Sequence, residues 1–262
     1  MVEKKISVIV TTYNSKENFT KTYQSIKQQS YDNIEIVVID GASIDGTVEK
    51  IQKYAESENE GIHWISEKDK GIYDAINKGI KIATGDYIIV CNDIYSDKDA
   101  LKKLVGAIEA DESVIGAHAD LVYCKAGNIK RFWKMGQGQI EQGWMPAHPT
   151  LLLKKNVYEK YGLYKTDYRC SADYEFMVRI LKNDNNKLGY VPEVLVSMFY
   201  GGTSSNGIKA YIISFEEAYR ALKENDVRGA MMISLKRACR VFVQFLAGKI
   251  WREKDGYDKG SM

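Results

Sequence analysis

Acidic and hydroxyl side chains gather in four short segments, Thr11 to Asn14, Asp40 to Gly46, Glu67 to Gly71 and Asn92 to Asp97, each placed after an apolar run. Carboxylates, hydroxyls and amides brought to one edge can hold a polar ligand through hydrogen bonds and point charges. The segments are not glycine cradles. No G-x-G-x-x-G follows the first apolar run and no G-x-x-x-x-G-K-[ST] occurs in the chain, which removes the dinucleotide-dependent dehydrogenases and the P-loop ATPases. Thr11-Thr12-Tyr13-Asn14 is neither glycine-rich nor basic, so a nucleotidyltransferase is a distant third reading.

The elements between these segments must bring them together. Ile6 to Val10, Ile34 to Ile39, Ile62 to Ile65 and Tyr87 to Cys91 read as strands, with helices at Phe19 to Ile26 (Ser15 as N-cap), Thr47 to Ser57 and Gly71 to Ala83. Apolar runs without alternation are buried on both faces, and their interleaving with helices implies parallel βαβ units. In such sheets a ligand sits outside the carboxyl ends of the strands, so the four polar segments should converge on one crevice. On the helix Gly71 to Ala83, Ile72, Ala75, Ile76, Gly79, Ile80 and Ala83 form a packing stripe, while Asp74, Asn77 and Lys78 form a polar one, either a solvated face or a binding face. After Asp97 the rhythm loosens: a helix over Lys98 to Ala110, mixed strands near Val114 to Tyr123 and Ile129 to Met135, a Gly/Gln-rich loop at 136–143, and a helix over Ala172 to Lys182.

The whole chain fits this reading. Its 262 residues are 45% apolar, with 37 Lys and Arg against 35 Asp and Glu, which excludes disorder and gives no reason to expect a nucleic-acid partner. Residues 1–5 lead into a short strand rather than a leader peptide, no run is long enough to span a bilayer, and Cys91, Cys124, Cys170 and Cys239 are scattered. A cytoplasmic location with reduced thiols is therefore expected.

Four motifs appear in order. Val8-Ile9-Val10-Thr11-Thr12-Tyr13-Asn14, Ile39-Asp40-Gly41-Ala42-Ser43-Ile44-Asp45-Gly46-Thr47, Asp69-Lys70-Gly71-Ile72-Tyr73-Asp74-Ala75-Ile76-Asn77-Lys78-Gly79 and Ala83-Thr84-Gly85-Asp86-Tyr87-Ile88 are joined by a fifth, Ser171-Ala172-Asp173-Tyr174-Glu175-Phe176. Together they resemble the GT-A family 2 glycosyltransferases. The resemblance implies a Rossmann-like, mostly parallel α/β sheet with helices on both faces, a nucleotide-diphosphate sugar as donor (UDP-linked is the expectation) and inversion at the anomeric carbon. Thr11 and Tyr13 would border the nucleoside, Asp40 would accept from the base, and Asp69 and Lys78 would complete the donor pocket. Asp45, before Gly46-Thr47, reads more simply as a turn and cap residue.

By the same resemblance Asp173 is the candidate general base, with Glu175 the runner-up. Its place at a helix start favours the ionised form but leaves N-capping as the alternative. Relatives carry an acidic pair where this chain reads Cys91-Asn92-Asp93-Ile94-Tyr95-Ser96-Asp97, as though two residues were missing. Asp93 alone stays in register as a ligand for Mn2+ or Mg2+, and Asn92 could add a carbonyl. The donor phosphates would then supply much of the coordination, so metal and nucleotide should bind together. Asp97 reads as a cap. His63 reads as a core residue, His118 has no role, and His148 is a possible phosphate or metal contact.

The segment 228–254 holds seven Lys and Arg against Glu253 alone, a net +6 that leaves −4 on the remainder. Met231, Met232, Leu235, Ala238, Cys239, Phe242, Phe245, Leu246 and Ile250 form an apolar stripe beside this basic face. Such a helix either lies on an anionic membrane, peripheral on its inner face, or packs on the catalytic domain. The expected organisation is a catalytic domain over 1–205 and a helical appendage over 206–262. The expected activity is transfer of a sugar to a hydroxyl of a surface glycan or lipid-linked acceptor; the rival is a non-catalytic nucleotide-sugar or glycan-binding protein that has lost its metal site.

Overall fold

A computed structural model describes residues 3–57, 62–125, 128–182, 185–199 and 207–254, with side chains left out at 207–209 and beyond 244. The expected boundary at 205/206 and the side chains of Phe245, Leu246, Lys249, Ile250, Arg252, Glu253 and Lys254 lie outside the described residues.

The first half follows the sequence pattern closely. Strands β1 (Ile6–Thr12), β2 (Ile34–Asp40), β3 (Ile62–Ser66) and β4 (Tyr87–Val90) alternate with helices α1 (Lys16–Lys27), α2 (Thr47–Ser57) and α3 (Ile72–Ile82). All four strands are parallel in the order β3-β2-β1-β4, with Ile6 opposite Ile34 and Tyr87. Their side chains divide between two cores, as runs buried on both faces must. Val8, Val10, Ile36 and Val38 pack toward Phe19 and Tyr23, whereas Ile9, Val37 and Ile39 pack toward Ile76 and Ile80 on α3.

Beyond β4 the sheet becomes mixed. It continues through β8 (Leu152–Lys154), β6 (Val114–Lys125), β9 (Lys187–Phe199) and β5 (Ile94–Tyr95), and β7 (Asn128–Trp133) pairs with β6 as a hairpin. β8 is antiparallel to both β4 and β6, while β9 runs parallel to β6. Helices α4 (Ala100–Glu109), α5 (Lys155–Tyr161) and α6 (Ala172–Leu181) cover this half. The chain then turns into α7 (Gly207–Glu224) and α8 (Ala230–Lys254).

The last two helices are docked on the rest of the molecule. α7 packs on α6, and α8 lies across β7 and the turn at 140–142. Gly143, at φ +68, allows the close approach: a Cβ there would lie 2.6 Å from the Arg237 backbone nitrogen. α8 turns Ile233 and Ser234 inward and leaves Met231, Met232, Leu235, Phe242 and Val243 exposed. The described part of the apolar stripe therefore faces away from the domain. No helix among the described residues is long and apolar enough to cross a membrane.

Three local expectations are corrected. β3 is an edge strand, and His63 on it is exposed rather than in the core. Ser15 makes no side-chain cap; its backbone N–H donates to Thr47 Oγ1 at 3.2 Å instead. Asn77 belongs to the packing: its amide bonds both the N–H and the C=O of Tyr164, at 3.0 and 2.8 Å.

Candidate active site

Parallel strands deliver their carboxyl ends to one edge, and the four polar segments meet there. Tyr13, just past β1, is 66% exposed. A Cβ on Gly41 would stand 3.2 Å from both the Tyr13 ring and an Asp69 oxygen. These three residues therefore pack against one another, and only a residue without a side chain fits at 41. Lys78, one turn below Asp74 on α3, reaches Asp69 at 2.6 Å, Glu67 at 2.8 Å and Asp74 at 3.4 Å. Hydrogen bonding to Asp69 and then to Glu67 raises its pKa above the usual lysine value. It fixes the Asp69 loop, and a donor phosphate would have to share it.

Asp40 ends β2 and is buried. It is 0% exposed, and its oxygens accept from the Ser43 N–H (2.9 Å), the Ser43 hydroxyl and the Ser66 hydroxyl (2.7 Å). It closes the loop after β2 and ties that loop to β3. Asp45 does the turn duty read from sequence, accepting from the backbone of Lys16 and Thr47 at 3.1 Å. Asp97 accepts from the Asp99 N–H at 2.7 Å, in the turn that leads into α4.

Asn92 uses both ends of its amide on Thr11. Its carbonyl accepts from the Thr11 N–H at 2.7 Å and its NH2 donates to the Thr11 hydroxyl at 2.8 Å, pinning the β4 end to the β1 end. Asp93 turns inward to 7% exposure and accepts from the Phe199 N–H at 3.0 Å. Burial pushes its carboxyl up to about 7, against the pull of that hydrogen bond. Among the described residues no group of three or more His, Cys, Asp or Glu side chains could hold a metal ion. A hard divalent cation needs several charged or carbonyl oxygens at one point, and the two residues expected to supply them are engaged elsewhere. They do not fit the cation: in this arrangement Asn92 and Asp93 are structural ties.

Asp173 stands in the first turn of α6, where Ser171 holds the N-cap position. Its carboxylate accepts from the Tyr73 hydroxyl at 3.2 Å rather than capping its own helix. The buried phenol responds: desolvation first, and the Asp173 charge second, raise the Tyr73 pKa well above its ordinary value. Tyr73 stacks near Tyr164, with ring centroids 6.0 Å apart, and the Tyr164 hydroxyl meets His148 Nε2 at 2.9 Å. Burial lowers the His148 pKa while Asp173 acts the other way. His148 is thereby a member of the wall behind Asp173, and its ring nitrogen is shared with a tyrosine.

Glu175, the runner-up base, is buried completely between Arg179 (2.7 Å) and Lys165 (3.1 Å), with the Asn225 amide at 3.2 Å. It anchors α6 to the turn after α7. The residue that the sequence did not reveal is Glu217 on α7. Its carboxylate accepts from the N–H groups of Arg169, Cys170 and Ser171, at 2.6, 2.9 and 2.9 Å, holding the entry to α6 two residues before Asp173. Nothing in the helical pattern of α7 separates Glu217 from its neighbour Glu216.

On the other side of Asp173 opens a cavity of about 580 Å3, bounded by the β6–β7 hairpin, the turn at 143–145, α7 and α8. Asp173 is thus the carboxylate that links the strand-end crevice, through Tyr73 on α3, to this second space.

A parallel sheet with a polar crevice at its strand ends, followed by a mixed half that closes a second cavity beside Asp173, is the GT-A arrangement of a sugar-transferring enzyme. The chain belongs to the glycosyl transferase family 2, whose profile matches residues 7–189. Among its relatives, a PGL/p-HBAD biosynthesis glycosyltransferase of Mycobacterium bovis (strain BCG / Pasteur 1173P2) is 24% identical over 204 residues, covering 77% of this chain and 79% of that protein. A dolichyl N-acetyl-alpha-D-glucosaminyl phosphate 3-beta-D-2,3-diacetamido-2,3-dideoxy-beta-D-glucuronosyltransferase of Methanococcus voltae is 29% identical over 238 residues, covering 81% and 72%. Two solved structures share the fold. The mannosyltransferase PcManGT from Pyrobaculum calidifontis, in complex with GDP-Man and Mn2+, superposes with a TM-score of 0.68 at 18% identity, over 98% of this chain and 77% of that one. S. aureus TarS 1-349 with UDP-GlcNAc superposes at 0.70 and 17% identity, over 91% and 73%. The chain is therefore a glycosyltransferase.

Proposed function

We propose that this glycosyltransferase inverts the anomeric centre of a nucleotide-diphosphate sugar by direct displacement, with Asp173 as general base. The observation that carries the reading is the position of Asp173: it faces the acceptor-sized cavity, bonds through Tyr73 to the α3 end of the crevice, and is not consumed by helix capping. The donor lies over the carboxyl ends of β1, β2 and β4, with its base against the exposed ring of Tyr13. An acceptor hydroxyl enters from the cavity side, opposite the leaving diphosphate. Its oxygen bonds to the anomeric carbon as the carbon–oxygen bond to phosphate breaks; the electron pair leaves on the nucleoside diphosphate and the proton passes to Asp173.

No step is routed through a divalent cation. PcManGT was solved with Mn2+ and GDP-Man, but the residues at the corresponding strand end of this chain do not form a cation site. TarS was solved with UDP-GlcNAc, which supports a uridine donor as the first to try. One relative named above is a PGL/p-HBAD biosynthesis glycosyltransferase and the other carries a dolichyl N-acetyl-alpha-D-glucosaminyl phosphate in its name, which supports a surface-glycan or lipid-linked acceptor here. The outward apolar face of α8, flanked by Lys236 and Arg240, supports peripheral contact with an anionic membrane.

Release of nucleoside diphosphate from a panel of UDP- and GDP-sugars, with calorimetric titration of UDP alongside, tests the reading. Asp173→Asn keeps donor affinity and loses about two to four orders of magnitude in transfer. Near-wild-type turnover in that variant would put the base elsewhere.

A further inference from the structure

The cavity on the far side of Asp173 has a chemistry of its own. Four cations line it, Arg131, Lys134, Arg237 and Arg240, against two carboxylates, Asp173 and Glu216. Between them stand apolar surfaces from Tyr123, Trp133, Trp144, Tyr211 and Phe215. A pocket for a plain neutral glycan has no use for a surplus of two positive charges beside the proposed base.

The cations are held in different ways. Arg131 is fixed between the rings of Tyr123 and Trp133, 4.6 and 4.9 Å from their centroids, and is bonded to Gln244. Arg240 donates to the Gln142 carbonyl at 3.2 Å. Arg237 differs. Its guanidinium lies 4.7 Å over the Tyr174 ring and reaches the Ser214 hydroxyl only at 3.5 Å, while its Nε is buried with no hydrogen-bond partner among the described residues. Arg237 is half-buried in the cavity wall, and its buried N–H without an acceptor is costly. Its planar fork suits a phosphate better than any neutral group.

We propose that this cavity is the acceptor site and that it takes a sugar linked through phosphate to an apolar chain, with the phosphate at Arg237 and the chain along the aromatic wall toward α8. The inference rests on the reading of Asp173 as the base, since the same wall carries both. It also gives α8 a second role, because the helix whose outward face is apolar supplies, from its inward face, the arginine that reads the phosphate.

Quenching of the fluorescence of Trp133 and Trp144 reports on the cavity directly, and Trp133→Phe and Trp144→Phe assign the signal. The probes are decyl phosphate, decyl β-glucoside and glucose 1-phosphate, each below its micelle concentration where it has one. Decyl phosphate should bind saturably and about tenfold or more tighter than decyl glucoside, and Arg237→Gln should erase that preference while leaving glucoside binding as it was. Arg237→Lys, which keeps the charge and the stem over Tyr174, should retain part of it; melting curves identify any variant that fails to fold. Equal binding of decyl phosphate and decyl glucoside by the wild type, or an undiminished preference in folded variants, overturns phosphate recognition at Arg237. Glucose 1-phosphate binding as tightly as decyl phosphate overturns the apolar-chain half and assigns the site to a soluble phosphosugar. UDP titration separates the two readings: a wild type that prefers decyl phosphate but binds no UDP would refute the donor assignment, not the phosphate site.

Discussion

Glu217→Ala removes the single carboxylate that accepts three consecutive N–H groups at the entry to α6. A hydrogen bond to an ionised acceptor contributes roughly 1.5 to 3 kcal/mol, and exposing the donors to water recovers part of it. Because the loop at 169–171 is partly open to solvent, the three together are worth about 2 to 4 kcal/mol, or a fall of roughly 5 to 10 °C in Tm for a chain of this size. The larger effect is positional. Asp173 is two residues beyond the last of these N–H groups, and a displacement of about 1 Å at a proton-accepting carboxylate costs on the order of a hundredfold in rate. Turnover should therefore fall by about ten- to a hundredfold at temperatures well below the melting transition, with the donor KM unchanged because the strand-end crevice is built by other elements. Glu217→Gln, which keeps one acceptor oxygen, should recover part of both losses. The assay is nucleoside diphosphate release alongside thermal melting of the same samples. A variant that melts lower but turns over at the wild-type rate while folded would refute the positioning argument and reduce Glu217 to a stabilising residue.

Glu35 gives an acid-stability prediction. Burial alone would raise its carboxyl, but hydrogen bonds from Ser7, Thr84 and Lys5 outweigh it and hold the group at about 2, below its ordinary 4.5. The resulting stability of about 3 kcal/mol is present above pH 4.5 and lost as pH falls toward 2; denaturation midpoints between these values should drop in the wild type and flatten in Glu35→Gln. Asp93→Asn should leave UDP affinity within about twofold, with Mn2+ or with chelator, because one inward-turned carboxylate does not make a hard-cation site; strong mutual tightening of Mn2+ and UDP in calorimetry would contradict this. Vesicles rich in anionic lipid should co-sediment the protein at low salt and less so at high salt, and Leu235→Ser with Phe242→Ser should reduce that binding; equal partitioning of the variant would reassign the α8 face to a contact between proteins.

The parallel half was legible because its residues answer to local rules. Ile6 to Thr12 and Ile34 to Asp40 are short, mostly apolar runs buried on both faces, and they stand apart from the 3.6-residue spacing of the helices between them. What the sequence could not express was which polar side chains near the strand ends point outward. Asp40, Asn92 and Asp93 have the residue types of a binding site, yet each is drawn into the frame by a partner remote in sequence: Ser66, Thr11 and Phe199. Such pairings depend on register across the sheet, and a motif read along one strand carries no register. The same limit hid Glu217, whose three partners lie 46 to 48 residues upstream. It also hid the use of α8, whose amphipathic pattern is the same whether the apolar stripe faces in or out. The inward face turned out to be the more polar one, Ser234, Arg237 and Gln244 among its residues. That inversion is what leaves one helix able to offer hydrophobic surface to its surroundings and an arginine to the space beside Asp173.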